Sequence, residues 1–128
     1  MDHKFKLKKI ITQFAICKLN PGEPVPAWAV KGETWSITKT SSELSILCAK
    51  SDMPEDIHTE RIWRALQVEG QFSFDVVGVL ASISKCLSDA GISILAVSTF
   101  DTDLIFVFEE NFDIACRVLI QAGHIIND

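Results

Sequence analysis

The sequence predicts an α+β fold in which helices cover one face of an antiparallel sheet. Alternating apolar and polar residues, typical of strands, occur in both halves of the chain, and two segments of the second half repeat apolar residues at helical spacing. From residue 62 onward the predicted order is strand, helix, strand, strand, helix, strand. This order allows both helices to cover the same face, which is the ferredoxin-like split βαβ arrangement.

The first half is predicted to be mostly β-structure. Its predicted strands span residues 10–19, 35–40 and 44–48, and the last two read as a hairpin. The turn signal Asn20-Pro21-Gly22 ends the first strand, and the prolines that follow leave room only for a helical turn at 27–30. The polar, acidic segment 51–60 is predicted to be a loop with at most one helical turn.

The second half carries the clearest helix signal. The apolar residues that recur at spacings of four and three are Val76, Leu80, Ile83, Leu87 and Ala90. Asp75 is the predicted N-cap of this helix and Gly91 its C-terminal stop. A second helix is predicted from about Asn111 to Gly123. The predicted strands of this half span residues 62–69, 92–98, 104–108 and 124–126.

Composition narrows the class of protein. The chain has 128 residues, enough for one ordinary domain or two small ones, and its 48% hydrophobic content favours buried strands or a subunit interface, so we expect a homodimer. The net charge of −5 argues against nucleic acid as a partner. The basic run KFKLKK near the start is interpreted as a solvated, poorly ordered terminus.

No segment of the sequence predicts a membrane span, because the apolar stretch IITQFAIC is too short for one, and we expect a cytoplasmic protein. The four cysteines lie in periodic apolar segments without a C-x-x-C pair, so they are predicted to be reduced core residues. They are Cys17, Cys48, Cys86 and Cys116.

The two predicted hairpins resemble each other at an offset of 60 residues. SITKTSSELSILC then falls on AVSTFDTDLIFVF, with Glu43 on Asp103 and Leu44 on Leu104. This predicts two related units, a reduced one at 1–61 and a complete one at 62–128.

The C-terminal half resembles the ACT domain, a small ferredoxin-like module that commonly regulates amino-acid metabolism. Gly78-Val79-Leu80-Ala81 is similar to the start of that module's first helix, and Ala90-Gly91-Ile92-Ser93-Ile94 is similar to its helix-to-strand junction. Many members have a proline just before the glycine, where this chain has Val77. The whole chain, including FAICKLNPGEPVPAWA, WSITKTSSELSILC, WRALQVEG and STFDTD, resembles short bacterial tandem-ACT proteins similar to the ACT units of the CASTOR arginine sensors.

This resemblance implies a ligand site at two places in the C-terminal unit. Free N–H groups and the helix dipole at the start of the first helix would hold a carboxylate, and a turn aspartate would accept hydrogen bonds from an ammonium. The candidate ligand-binding residues are Gly78, Val79, Leu80, Ser98, Thr99, Phe100, Asp101 and Asp103.

Structural roles compete with each of these assignments. An aspartate in a hairpin turn commonly bonds its own backbone, so either Asp101 or Asp103 has the alternative of shaping the turn. Gly78 has the alternative of packing its helix tightly, and Glu43 is either a second acidic contact or a solvated charge.

Other chemistry is not indicated by the sequence. The acidic segment around His58 does not match a metal-ligand spacing, no nucleotide-phosphate motif occurs, and no cysteine or histidine lies in a recognisable catalytic motif. We therefore expect no metal, no cofactor and no catalytic residue. The leading hypothesis is a non-catalytic regulatory protein that binds a small molecule, possibly an amino acid, and acts on an unknown protein partner. A dimerisation module without a metabolite is the alternative, and an enzyme is the third hypothesis.

Overall fold

The first strand, β1 (Lys6–Leu19), contributes residues to both units of the chain. The structure is a computed structural model that describes residues 4–69 and 78–128. Unit 1 comprises Met1–Ile11 and Arg64–Asp128, and unit 2 comprises Thr12–Trp63. The predictions for Asp75 and Val76 lie outside the described residues.

Unit 1 has an α+β architecture with an antiparallel hairpin and two helices. Its further elements, in chain order, are β4 (Trp63–Val68), α1 (Val79–Asp89), β5 (Ile94–Ser98), β6 (Asp103–Phe108), α2 (Phe112–Gln121) and β7 (Ile125–Asn127), so the predicted order from residue 62 is confirmed. Among these, β4 lies between β1 and β6, β5 follows β6, and β7 pairs with β1 in parallel.

The interpretation of KFKLKK as a poorly ordered terminus is wrong. Lys6 to Lys8 pair with Ile125 to Asn127. Phe5 and Leu7 are buried, while Lys4, Lys6 and Lys8, which alternate with them, are exposed. Buried apolar residues and exposed lysines alternate here with a period of two, which is typical of a half-buried strand.

One apolar core joins the sheet of unit 1 to its helices. Val79, Ile83 and Leu87 of α1 recur at four-residue spacing and are all buried. The strands and α2 supply most of the rest, namely Phe5, Leu7, Leu66, Val68, Ile105, Val107, Phe112, Ala115, Cys116 and Leu119. Ile105 and Val107 thus define the helix-covered face of β6.

Both helices end at glycines with positive φ, as the sequence predicts. Gly91 has φ +76° and Gly123 has φ +99°, conformations that L side chains rarely adopt. After α2, the N–H of His124 donates to the carbonyl of Leu119 at 3.0 Å, which completes a Schellman-type ending.

Unit 2 is built on three strands in the order β2-β3-β1. Its hairpin consists of β2 (Ser36–Lys39) and β3 (Leu44–Ala49), and β3 pairs antiparallel with residues 14–19 of β1. Single 3₁₀ turns at Ala27–Val30 and Lys50–Asp52 occupy the places where helical turns are predicted. Its core consists of Ala15, Cys17, Ala29, Leu44, Ile46, Cys48 and Met53.

The two hairpins have equivalent local geometry at an offset of 59 residues, one less than the sequence alignment suggests. Lys39 pairs with Leu44 at the end of the first hairpin, and Ser98 pairs with Asp103 at the end of the second. A 3₁₀ turn follows each, at Lys50–Asp52 and at Glu109–Asn111, again 59 residues apart. At this offset the position equivalent to Asp103 is Leu44 and not Glu43. The difference matters because a shift of one residue moves a side chain to the other face of the strand. The descent of both units from one ancestor stays a prediction.

Candidate functional site

The turn between β5 and β6 is closed by backbone and side-chain hydrogen bonds of two threonines. The N–H of Thr99 donates to the carbonyl of Thr102 at 2.7 Å, and the N–H of Thr102 donates to Oγ1 of Thr99 at 3.1 Å. Phe100 and Asp101 therefore lie at the tip, where both are exposed. The sequence had not shown that Thr99 is a structural residue of this turn.

The two aspartates of the hairpin have different environments. Oγ of Ser98 donates to Oδ1 of Asp103 at 2.5 Å across the paired strands. Because side chains alternate along β6, Asp103 lies on the same face as Ile105 and Val107, the face that the helices cover. Asp103 is partly buried and ordered by Ser98, whereas Asp101 is exposed.

Within residues 4–69 and 78–128, helix α1 begins without a side-chain cap. Gly78 occupies the N-cap position with φ +88°, and the first intrahelical bond runs from the N–H of Ser82 to the carbonyl of Gly78 at 2.8 Å. The side chains of Val79 and Leu80 pack in the core, so their contribution to a ligand site is limited to the backbone. The first N–H groups of a helix have no intrahelical partner and favour an anion.

A hydrogen bond fixes the hairpin turn beside the end of β4. Oγ1 of Thr102 donates to the carbonyl of Val68, the last residue of β4. The structure thus brings Ser98, Thr99 and Asp103 together at one hydrogen-bonded turn, with Asp103 on the helix-covered face of β6.

A cavity in unit 2 was not anticipated from the sequence. It has a volume of about 310 Å³ and is lined by Ala15, Lys50, Ser51, Met53, Pro54, Glu55, Ile57 and Thr59. Most of these residues lie in the segment that the sequence predicts to be a polar loop. The sequence signal for this loop is Pro54, because a proline disfavours the helical conformation of the residue before it, here Met53.

The cysteine thiols are shielded from ionisation. Burial raises the pKa of all four, and for Cys48 burial, together with Cys17 and Asp52, raises the pKa to about 11. Such thiols are protonated near neutral pH and are weak nucleophiles.

The described part of the chain has neither a cluster of three ionisable metal ligands nor a membrane-spanning helix. Within residues 4–69 and 78–128, no three His, Cys, Asp or Glu side chains are grouped to hold a metal ion. None of the helices in these ranges is long and apolar enough to cross a membrane.

Comparison with known proteins identifies the family. A model of the ACT domain matches residues 58–121. The crystal structure of a protein from Agobacterium tumefaciens shares 36% sequence identity, with coverage of 97% of this chain and 92% of that one and a TM-score of 0.91. The chain belongs to the ACT-domain family. A second model, for the N-terminal domain of a protein family, matches residues 12–56.

More distant structures share the fold. A Vibrio cholerae protein of unknown function, described as a possible transport protein, has 15% identity and a TM-score of 0.76, with coverage of 92% of this chain and 89% of that one. The aspartate kinase of Clostridium acetobutylicum, described as an allosteric enzyme, has 13% identity and a TM-score of 0.62, with coverage of 91% of this ACT protein and 33% of the kinase. A search of curated protein sequences found no match. ACT domains generally bind small ligands such as amino acids in regulatory proteins, and they typically oligomerise.

Proposed function

We propose that this ACT protein is a non-catalytic regulator that binds an amino acid between the β5–β6 turn and the start of α1. The observation that carries the proposal is the position of Asp103, a partly buried carboxylate held by Ser98 on the helix-covered side of the sheet. The proposal also includes a homodimeric assembly and a separate protein partner that receives the signal.

The start of α1 would bind the anionic group of the ligand. Gly78 has no side chain to cap the helix, and in this proposal a carboxylate takes the place of a cap at the first N–H groups. The 11-residue helix adds its dipole to these hydrogen bonds. The ligand's α-carboxylate would bind here.

Asp103 would bind the cationic group of the ligand. Oδ1 accepts the hydroxyl of Ser98, and a carboxylate retains further lone pairs on Oδ2 for the ligand's ammonium. Asp101, at the exposed tip, would interact with a longer ligand side chain. The resemblance to the CASTOR units makes arginine the first ligand to test.

Thermal unfolding of the purified protein in the presence of each common amino acid tests the site. A ligand at about 100 times its Kd adds about 2.7 kcal/mol to the free energy of unfolding, which raises Tm by roughly several degrees for a chain of this size. We expect one amino acid to raise Tm in the wild type and to lose this effect in Asp103→Asn, which retains an acceptor for Ser98.

Glu33→Gln is the matched control, because Glu33 is an exposed acid of unit 2. It should respond like the wild type. The same Tm shift in Asp103→Asn and the wild type, or no shift with any amino acid, would contradict the proposed site.

The alternative function is dimerisation without a metabolite. It is favoured by the position of β5, which ends the strand order of unit 1 and so presents an edge that another strand can pair with. Sedimentation velocity with and without the active amino acid separates the two functions. A dimer that never responds to any amino acid supports the alternative, and a ligand-dependent change in assembly supports the regulator.

A further inference from the structure

Sulfur is concentrated in the core of unit 2. Cys17 of β1, Cys48 of β3 and Met53, which follows the 3₁₀ turn after β3, are buried together there. Their exposed fractions are 5%, 2% and 7%, and the other buried residues of this core are aliphatic. Two thiols and a thioether thus share one small apolar core.

The strand register brings the two thiols to neighbouring positions. Ala15 pairs with Cys48 and Cys17 pairs with Ile46, so the cysteines are diagonal neighbours across β1 and β3. All four residues belong to the same core, which places both thiols on one face of the sheet. Burial raises the pKa of Cys48 to about 11, and the charges of Cys17 and Asp52 contribute to this rise. The cysteines lie far apart in the sequence, so only the fold reveals this pair.

The diagonal arrangement suits a bridging metal ion better than a disulfide. Diagonal neighbours on paired strands have Cα atoms about 7–8 Å apart. A disulfide does not span Cα atoms more than about 7 Å apart unless the backbone moves. A metal ion between the sulfurs lengthens the bridge by two metal–sulfur bonds, each about 2.3 Å for Zn²⁺. The longer bridge matches the wider separation.

The available ligands select the class of metal. A structural Zn²⁺ site has four ligands, whereas among the residues that the structure describes no three His, Cys, Asp or Glu side chains are grouped to hold a metal ion. Thiolate and thioether ligands favour the soft ion Cu⁺, for which two or three sulfurs are sufficient. The core of unit 2 therefore fits Cu⁺ and does not fit Zn²⁺.

We propose that unit 2 binds one Cu⁺ ion between Cys17 and Cys48, with Met53 as a third sulfur ligand. Each thiol releases its proton to solvent as its sulfur binds the metal, so two protons are released and neither copper nor sulfur changes oxidation state. The cavity of about 310 Å³ offers an entry path, because its lining includes Met53 and Ala15, the residue that pairs with Cys48. This inference goes beyond the proposed function and does not depend on it.

Competition with the chromogenic Cu⁺ chelator bicinchoninate, without oxygen and with ascorbate as reductant, measures binding to the purified protein. We expect one Cu⁺ per chain. Cys17→Ala and Cys48→Ala should each weaken binding by more than the roughly 10–100-fold that follows the loss of a residue behind a metal ligand. Met53→Leu retains an apolar side chain and should weaken binding by about tenfold.

Cys116→Ala is the matched control. Cys116 is also buried, and burial also raises its pKa, but it lies in the core of unit 1. This variant should bind Cu⁺ like the wild type. It separates the proposed site from a general affinity of buried thiols for copper.

Two measurements on the wild type keep the test valid if a cysteine variant does not fold. X-ray absorption at the copper edge should show a first shell of two or three sulfurs and no nitrogen or oxygen. Because protons are released, the apparent affinity should rise by up to about tenfold per pH unit for each proton while the thiols are protonated.

Each outcome decides the question. Nitrogen or oxygen in the first shell, binding that survives Cys17→Ala and Cys48→Ala, or equal weakening by Cys116→Ala would overturn this inference. Asp103→Asn should leave the copper affinity unchanged, since it alters only the turn in unit 1. Absence of Cu⁺ binding, together with a Tm effect of an amino acid that is lost in Asp103→Asn, would remove the metal site and retain the proposed function.

Discussion

His124 is a buried ionisable residue with a defined tautomer. The residue is 4% exposed, and its ring stacks on that of Phe5 with centroids 5.8 Å apart. The backbone N–H of Phe5 donates to Nδ1 at 3.0 Å, so Nδ1 carries no proton and the hydrogen of a neutral ring is on Nε2. Burial, with a smaller effect of the Lys4 charge, lowers the pKa of His124 below its ordinary value.

This lowered pKa predicts a pH dependence of stability. Between the folded pKa and about 6.5, the unfolded chain binds more protons than the folded one, so the free energy of unfolding decreases as the pH falls through this window. Above about pH 6.5 His124 is neutral in both states and the contribution is fully present. Urea denaturation between about pH 5.5 and 7.5 measures this slope.

His124→Asn is the informative variant, because its Oδ1 can accept the Phe5 N–H and does not titrate. We expect it to lose the part of the slope that His124 contributes. His58→Asn, at an exposed position, should retain that slope. An unchanged slope in His124→Asn would show that the carboxylates alone determine the acid sensitivity.

The turns of the two hairpins contain the same pair of hydrogen bonds, each made by a threonine. Thr40 Oγ1 accepts from the N–H of Glu43 at 3.2 Å, as Thr99 Oγ1 accepts from the N–H of Thr102 at 3.1 Å. In each, the first threonine's N–H also donates to the carbonyl three residues later. A threonine hydroxyl therefore makes the same hydrogen bond at equivalent positions of both turns.

Removing either hydroxyl should weaken its hairpin. Thr40→Val and Thr99→Val retain the side-chain shape and lose one acceptor, so we expect each to lower the free energy of unfolding by about 0.5–1 kcal/mol. Thr→Ser at either position should restore most of the loss. Thr38→Val, exposed on β2, is the control and should stay within about 0.5 kcal/mol of the wild type. Equal effects of Thr38→Val and Thr99→Val would exclude a specific role for the turn hydroxyls.

The elements that the sequence predicts correctly are those in which one local pattern is sufficient. The four-residue spacing in α1 and the glycines at 91 and 123 determine helices and their ends from nearby residues. The strand at Lys6 was misread because its pairing partner, β7, is more than 100 residues away in the sequence, and the lysines alone are typical of a free terminus.

The sequence predicts the location of the candidate site better than its geometry. Two aspartates in a turn are visible in STFDTD, but only the register of β5 with β6 shows that Asp103 faces Ser98. The error of one residue in the hairpin alignment has the same origin, because side-chain identity favours 60 and strand register requires 59. For the cavity of unit 2 the one local signal is Pro54, which keeps Met53 extended, but the sequence does not show that the loop after Pro54 leaves a cavity.

At the scale of the whole molecule, β1 is one continuous strand with residues in both units. Lys6 to Lys8 pair with β7 in unit 1, and Phe14 to Leu19 pair with β3 in unit 2. Unfolding either unit removes the pairing that holds part of this strand, which weakens the constraint on the remainder. This predicts that the two units unfold in one cooperative transition.

Two spectroscopic probes separate the units. Trp28 and Trp35 lie within unit 2, and Trp63 is the last residue of that unit and the first of β4, whose other residues belong to unit 1. Both α-helices of the described chain belong to unit 1. Tryptophan fluorescence therefore follows unit 2, and far-UV circular dichroism mainly follows unit 1. We expect the same denaturation midpoint from both probes.

Leu7→Ala extends this prediction to coupling between the units. Leu7 is fully buried in the core of unit 1, so its truncation should lower the free energy of unfolding by about 2–5 kcal/mol. In a cooperative molecule the fluorescence midpoint of unit 2 decreases by the same amount as the dichroism midpoint. Lys8→Ala, an exposed neighbour on β1, should change neither by more than about 0.5 kcal/mol. A fluorescence midpoint that is insensitive to Leu7→Ala would mean that the strand joins two independently folding units, and that a ligand bound by one unit has no stabilising effect on the other.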